Sequence, residues 1–351
     1  MSWMDRFNSK QLTIVIVCIT AFFITLAVFT MVVGSDDSSS SKERHLVIDG
    51  DGDDASGRKY KFTDEDRSEG GGDSTVVVNK PIEGDPYEEL NDLIGLEEVK
   101  AEVRSLANFV KVQKQRQEKG LKTPNLSYHL VFTGSPGTGK TTVARIVARI
   151  YKDLGILKKG HLVETDRSGL IGQYVGQTAP RVNAMCDSAL NGVLFIDEAY
   201  AITQSESGND YGAEAVATLL KRMEDDRDRL VVIVAGYTNE MKKFIDTNPG
   251  LQSRFNRYIH FPDYSSDDLY KIFRKYLKKN EYTITQQAAT YLKERLDYAV
   301  EHKDRNFGNA RFVRNVFEKT IQAQANRIAK AGKVPDEELV EITLADVKNA
   351  I

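Results

Sequence analysis

The sequence predicts an α/β domain built on a parallel sheet with helices on both faces, then a small helical lid domain, with one membrane-spanning helix in front. Three observations carry this. From Asp85 onward, apolar strand-like runs alternate with helical patterns, which is how a parallel sheet covered on both sides reads. From Ser265 the spacing is helical only. Residues 12–33 form an uncharged run near the N-terminus. The 351 residues therefore divide into an anchor at 1–33, a tether at 34–84, an α/β domain at 85–262 and a helical domain at 263–351.

The 22 residues of 12–33 are interrupted only by Thr13, Thr20, Thr25 and Thr30 among weakly polar types, and fourteen are Leu, Ile, Val or Phe. As a helix the run is roughly 33 Å long, enough for a hydrocarbon core of about 30 Å. It is longer than the apolar stretch of about 7–15 residues in a cleaved signal peptide. Arg6 and Lys10 flank it on one side and Lys42 and Arg44 on the other, so flanking charge leaves its orientation open.

The tether holds 7 basic and 13 acidic residues, whereas residues 85–351 hold 39 and 37. With Ser38–Ser41, three glycines at 70–72 and few large apolar groups, residues 34–84 bury too little to offset ordering. Residues 45–48 and 75–78 are short apolar exceptions. Asp49, Asp51 and Asp53 hint at a calcium loop, but Asp54 stands where that loop needs Gly and Tyr60 where it needs Glu. The near-neutral body argues against a nucleic-acid binder driven by bulk charge. Cys18 and Cys186 cannot build a disulfide framework.

Residues 128–133 read as a strand running into Gly134-Ser135-Pro136-Gly137-Thr138-Gly139-Lys140-Thr141-Thr142, and a helical pattern covers 143–151. This is a phosphate-binding loop between strand and helix. Its glycines let backbone N–H groups wrap phosphates at a helix N-terminus, Lys140 would reach the β- and γ-phosphates, and the Thr141 hydroxyl would bind Mg2+. A second buried strand, 193–196, ends in Asp197-Glu198. Asp197 would hold the Mg2+ shell, and Glu198 would activate water against the γ-phosphate. A further strand, 230–235, leads into Tyr237-Thr238-Asn239, three candidates for contact with that phosphate; before the strand at 258–261, Arg254 sits where it could neutralise phosphoryl-transfer charge on a neighbouring subunit.

Together these motifs resemble the AAA+ ATPases, specifically the CbxX/CfqX group that includes red-type Rubisco activase and stage V sporulation protein K. The resemblance covers residues 85–351. It implies bound ATP and Mg2+, an adenine-cupping segment at Asp92-Leu93-Ile94-Gly95-Leu96, and an arginine finger at Arg254. It also implies a sensor 2 motif at Gly308-Asn309-Ala310-Arg311, with Arg311 reaching the γ-phosphate. The segment Leu170–Gly176 is similar to the group's central-pore loop, with Tyr174, Val175 and Gly176 gripping an extended chain. The finger implies a ring, expected to be a hexamer. The anchor departs from what the resemblance predicts.

In the C-terminal quarter, Ser265 is expected to cap a helix through about Lys279, with others near 286–301 and 310–331. Val313, Val316, Phe317 and Ile321 repeat at helical spacing as a core stripe, and Lys271, Arg274, Lys275, Lys278 and Lys279 read as a solvated face. No HExxH metal motif occurs at any of the five histidines, so no built-in zinc protease is expected. The leading expectation is a single-pass membrane ATPase, its body on the cytoplasmic, ATP-containing side, that remodels a protein substrate. The alternative is an ATP-gated membrane scaffold without threading.

Overall fold

The computed structural model describes residues 77–79, 84–124, 127–204, 211–332 and 334–351. The predicted span at 12–33 and most of the tether lie outside these residues. Among the described residues, no helix is long and apolar enough to cross a membrane. The apolar segment at 75–78 partly falls within strand β1 (Val77–Asn79), which pairs antiparallel with β3 (Leu162–Thr165).

The other strands are β2 (Leu130–Gly134), β4 (Gly192–Ile196), β5 (Leu230–Gly236) and β6 (Tyr258–Phe261). The sheet order is β1-β3-β4-β5-β2-β6, and every pairing beyond β1 is parallel. Strand β2 therefore lies between β5 and β6: the chain leaves it for β3, returns through β4 to β5 on the same side, and then crosses to β6 on the other. Ligands bind where strand order reverses in this way, beyond the carboxyl ends of the strands.

Period-2 alternation distributes the strand side chains between two cores. Leu130 and Phe132, Val193 and Phe195, and Val231 and Ile233 face one core, together with helices α2 (Glu97–Glu118) and α3 (Lys140–Asp153). Val131, Leu194, Ile196, Val232 and Val234 face the other. That second core is closed by α5 (Thr178–Ser188), α6 (Tyr211–Asp225) and α7 (Thr238–Asp246), through residues such as Val182, Leu219 and Phe244. The short helices α4 (Arg167–Leu170) and α8 (Pro249–Arg254) complete this layer, whereas α1 (Pro86–Asn91) packs Leu90 into the first core. Cys186 is fully buried in the second core, where burial pushes its thiol up to about 12 and leaves it an inert packing residue.

The lid comprises α9 (Ser266–Lys279), α10 (Gln286–Glu301), α11 (Asn309–Ala331), α12 (Asp336–Val340), α13 (Leu344–Ala350) and a two-strand ribbon, Thr283–Ile284 with Glu341–Ile342. The Ser265 hydroxyl caps α9 by accepting from the Asp268 N–H at 3.1 Å, while Lys278 and Lys279 complement the dipole at its far end. Phe317 meets Phe273, Tyr276 and Tyr282 at ring distances of 5.7, 5.4 and 6.3 Å, so the predicted stripe is core. The basic cluster on α9 is partly engaged rather than wholly solvated: Lys271 pairs with Asp268, and Lys275 donates to the Asp92 carbonyl.

His129 is buried before β2, and its Nδ1 accepts the Val232 N–H at 2.9 Å. Burial foremost, then the nearby Arg254 charge, lowers the imidazole from 6.5 to about 4. A protonated ring cannot accept that N–H. The unfolded chain thus binds the proton more readily, and this group's contribution is complete above pH 6.5 and lost as pH falls toward 4. Urea unfolding should show a loss of about 3 kcal/mol from this group across that window. A His129→Gln variant should lack that part of the slope; an unchanged slope would contradict the assignment.

Candidate active site

The strand ends build the site. Gly134 closes β2 at φ +144°, and a Cβ there would lie 2.2 Å from the Phe261 carbonyl on β6. Only a glycine lets the chain turn from the sheet into the loop at this spacing. Gly137 has φ +70°, and a Cβ there would sit 2.1 Å from the Gly308 carbonyl of the lid. The loop is thus held between sheet and lid by backbone contact on both sides.

Lys140 opens α3 and is largely buried, its Nζ donating to the Gly134 and Ser135 carbonyls at 2.9 and 2.8 Å. Burial lowers its pKa from the ordinary lysine value, opposed by the carboxylates of Asp197 and Glu198. The Thr138 hydroxyl donates to the Ser135 carbonyl at 2.9 Å, closing the loop. The Gly137, Thr138 and Gly139 N–H groups have no acceptor among the described residues. Three free amides beside a buried ammonium form the donor set that a polyphosphate requires.

Asp197 follows β4 directly, its N–H donating to the Thr165 carbonyl at 2.9 Å and its carboxylate accepting the Glu198 N–H at 3.0 Å. Glu198 takes a left-handed backbone, φ +47°. That conformation is costly outside glycine, asparagine and aspartate. Tyr200 bonds the Glu198 carboxylate, and burial, followed by that carboxylate, raises its phenol pKa. The Tyr200 ring lies 6.3 Å from that of Tyr237, whose hydroxyl is 3.5 Å from Asn306 Oδ1 of the lid.

These groups surround one cleft of about 310 Å³. From the phosphate loop it is lined by Gly134, Pro136, Gly137, Gly139, Lys140, Thr141 and Thr142; from the strand ends by Asp197, Glu198, Gly236 and Tyr237; and from the lid by Tyr276, Ala310, Arg311 and Arg314. Of the three residues after β5, it is Tyr237 that faces the cleft, while Thr238 and Asn239 are exposed at the start of α7. Ser135 and Thr138 stand behind the lining as its internal braces.

Besides these two braces, three further predicted site residues do not line the cleft. Ile94 and Gly95 lie at its side, with Gly95 against Asp268 and Tyr264 and the neighbouring Leu96 against Gly139. Arg254 is at the protein surface, where its guanidinium pairs with Glu224 at 2.9 Å. Sequence reasoning missed Tyr276 and Arg314. Arg314 sits one turn beyond Arg311 on the same helix face, a spacing that would have placed it. Tyr276 was hidden among the lysines of α9.

The hinge between domains is a polar junction. Burial opposes ionisation of Asp263, yet hydrogen bonds from Lys303, Asn309 and Ser135 hold its carboxyl below the usual range. Tyr264 is buried, its phenol pushed up to about 12.

Residues 130–263 match the family described as ATPase family associated with various cellular activities (AAA), and residues 265–351 match the AAA lid domain. The chain is 45% identical over 280 residues to the ESX-3 secretion system protein EccA3 of Mycobacterium tuberculosis, an alignment covering 75% of this chain and 44% of that protein. It thus spans less than half of that relative's length. It is 44% identical over 258 residues to the chloroplastic ribulose bisphosphate carboxylase/oxygenase activase of Cyanidioschyzon merolae, covering 73% of this chain and 87% of that one. In fold it is similar to the FIGL-1 AAA domain, with a TM-score of 0.54 at 19% identity over 78% of this chain and 84% of that chain. With an unpartnered phosphate cradle, an acidic strand end beside it and a lid closing over both, the chain belongs to the AAA family and carries an ATP-hydrolysing AAA domain with its lid.

Proposed function

We propose that this protein is a membrane-tethered AAA+ ATPase of the CbxX/CfqX type that remodels a protein partner through the pore of a ring, expected to be hexameric. The observation that carries the reading is the loop at 171–177. Tyr174 and Val175 are 69% and 86% exposed, although they are large and apolar. The loop is not slack: the Gly172 N–H donates to the Thr178 hydroxyl at 3.2 Å, and the Tyr174 N–H to Gln177 Oε1 at 3.3 Å. An ordered loop that holds two adjacent apolar groups in water fits contact with another chain.

Its base is wired to the acidic pair. Asp166 caps α4 through the Ser168 N–H at 2.8 Å, immediately after the Thr165 carbonyl that Asp197 bonds. Arg167 donates to the carbonyls of Ala201 and Ile202, just past Glu198, at 2.5 and 3.0 Å. A change at Asp197 and Glu198 would thus be transmitted to the base of Tyr174.

In the chemistry we propose, backbone amides of the loop and Lys140 bind the phosphates, and Ile94 and Gly95 flank the base. Thr141 and Asp197 hold Mg2+, which would supply charge neutralisation on the phosphate oxygens. Glu198 takes a proton from the attacking water as the bond to the γ-phosphorus forms, and ADP leaves. Arg311 from the lid and Arg254 from a neighbouring copy neutralise the developing charge. The relatives named above are a secretion-system protein and an activase of an enzyme, which supports a protein substrate here. The uncharged run at 12–33 would anchor the body on the ATP-containing side of a membrane.

Glu198→Gln should cut turnover by about 100-fold or more while ATP still binds, so that membranes carrying it retain the substrate. Tyr174→Ala should keep ATP turnover but lose that capture; unchanged capture would favour the scaffold reading. Protease treatment of sealed vesicles should cleave the body only from the ATP side. Cleavage from the opposite side alone would overturn the topology.

A further inference from the structure

Asn309 stands apart from the rest of its motif. It has no exposed surface, and its backbone is left-handed at φ +47°, a cost that asparagine tolerates better than most residues. Its amide joins three segments. Nδ2 donates to the Asp263 carboxylate at 2.9 Å, to the Phe307 carbonyl at 3.1 Å and to the Pro136 carbonyl of the phosphate loop at 3.3 Å. Oδ1 accepts the Tyr264 N–H at 3.0 Å. Rotating the amide would set Oδ1 against three oxygens, so the network fixes its orientation.

The neighbours continue the pattern. The Ala310 N–H donates to the Gly137 carbonyl at 3.1 Å, and the Tyr264 hydroxyl to the Thr138 carbonyl at 3.3 Å. Three successive loop carbonyls, 136, 137 and 138, thus accept from lid and hinge donors. In a trans peptide the N–H of the next residue points opposite to the carbonyl. Pinning those carbonyls on the lid side therefore turns the amides of Gly137, Thr138 and Gly139 the other way. Like those of Thr141 and Thr142 at the start of α3, these amides have no acceptor among the described residues.

We propose that Asn309 is a positioning residue that orients the phosphate-binding amides of residues 137–139 from the lid side. It acts on the loop directly at Pro136 and through Tyr264 at Thr138. Lid docking and phosphate binding are then one coupled equilibrium, and each favours the other by the same factor. The inference rests on the nucleotide-binding reading above.

The test titrates the full chain with ADP and with adenosine, which shares the base and sugar but lacks phosphates. Asn309→Gly accepts the left-handed backbone at no steric cost, so loss of the amide is not compounded by backbone strain. Asn309→Asp keeps the shape and removes the donors. Both should bind ADP about ten-fold or more weakly, and both should bind adenosine as the wild type does. ADP should slow hydrogen exchange at the start of α11 in the wild type and not in the variants. Equal ADP affinity in Asn309→Gly, or an equal loss for adenosine, would overturn the proposal. A wild type that binds neither compound would instead defeat the nucleotide-binding reading itself.

Discussion

Backbone crowding at the phosphate loop is the constraint from which the site follows. One side of the loop has no space for a side chain because β6 lies against Gly134, and the other has none because the lid's Gly308 lies against Gly137. The loop cannot relax toward either neighbour without moving the sheet or the lid. Its carbonyls at 136–138 accept from lid and hinge, and the sorting we propose turns the next amides toward the cleft. An anion-binding site made of backbone alone needs that sorting, since a peptide nest acts only when its N–H groups converge.

The catalytic end shows the same economy. Asp197 and Glu198 lie at the carboxyl end of β4, beside β5 in the parallel sheet, and so share the cleft with the loop after β2. Glu198 pays for its placement with a left-handed backbone, and a phenol from Tyr200 holds its carboxylate. The bonds that hold this acidic turn to α4 and the exposed loop beyond it lie within a single layer of the fold. The acidic turn and the exposed loop are thus separated by a few hydrogen-bonded residues.

Much of this was legible in the sequence, for physical reasons. Strands β2, β4 and β5 are buried on both faces, so they read as unbroken apolar runs ending at motif residues. Ser265 announced its helix because a cap is a local interaction of three or four residues. Strand β3 was missed: Leu162–Thr165 includes Glu164, whose carboxylate is half-buried against Arg145, and four residues carry little pattern. Helix α2 begins after Leu96, which has no side-chain cap, so it gave no start signal. The roles of Tyr276 and Asn309 depend on elements more than a hundred residues away in the chain, across the hinge. Arg254 was read from its place before β6 and matched to the finger by resemblance, but its pairing with Glu224 appears only once α6 and α8 are packed.

The most direct measurement is steady-state ATP hydrolysis by the purified chain alongside Lys140→Ala, with ATP affinity measured on both proteins. If the sorted loop is the seat of phosphate recognition, the wild type binds and cleaves ATP, and loss of the Lys140 ammonium abolishes turnover and weakens binding. Undiminished turnover in Lys140→Ala, or a wild type that neither binds nor cleaves ATP, would contradict the account.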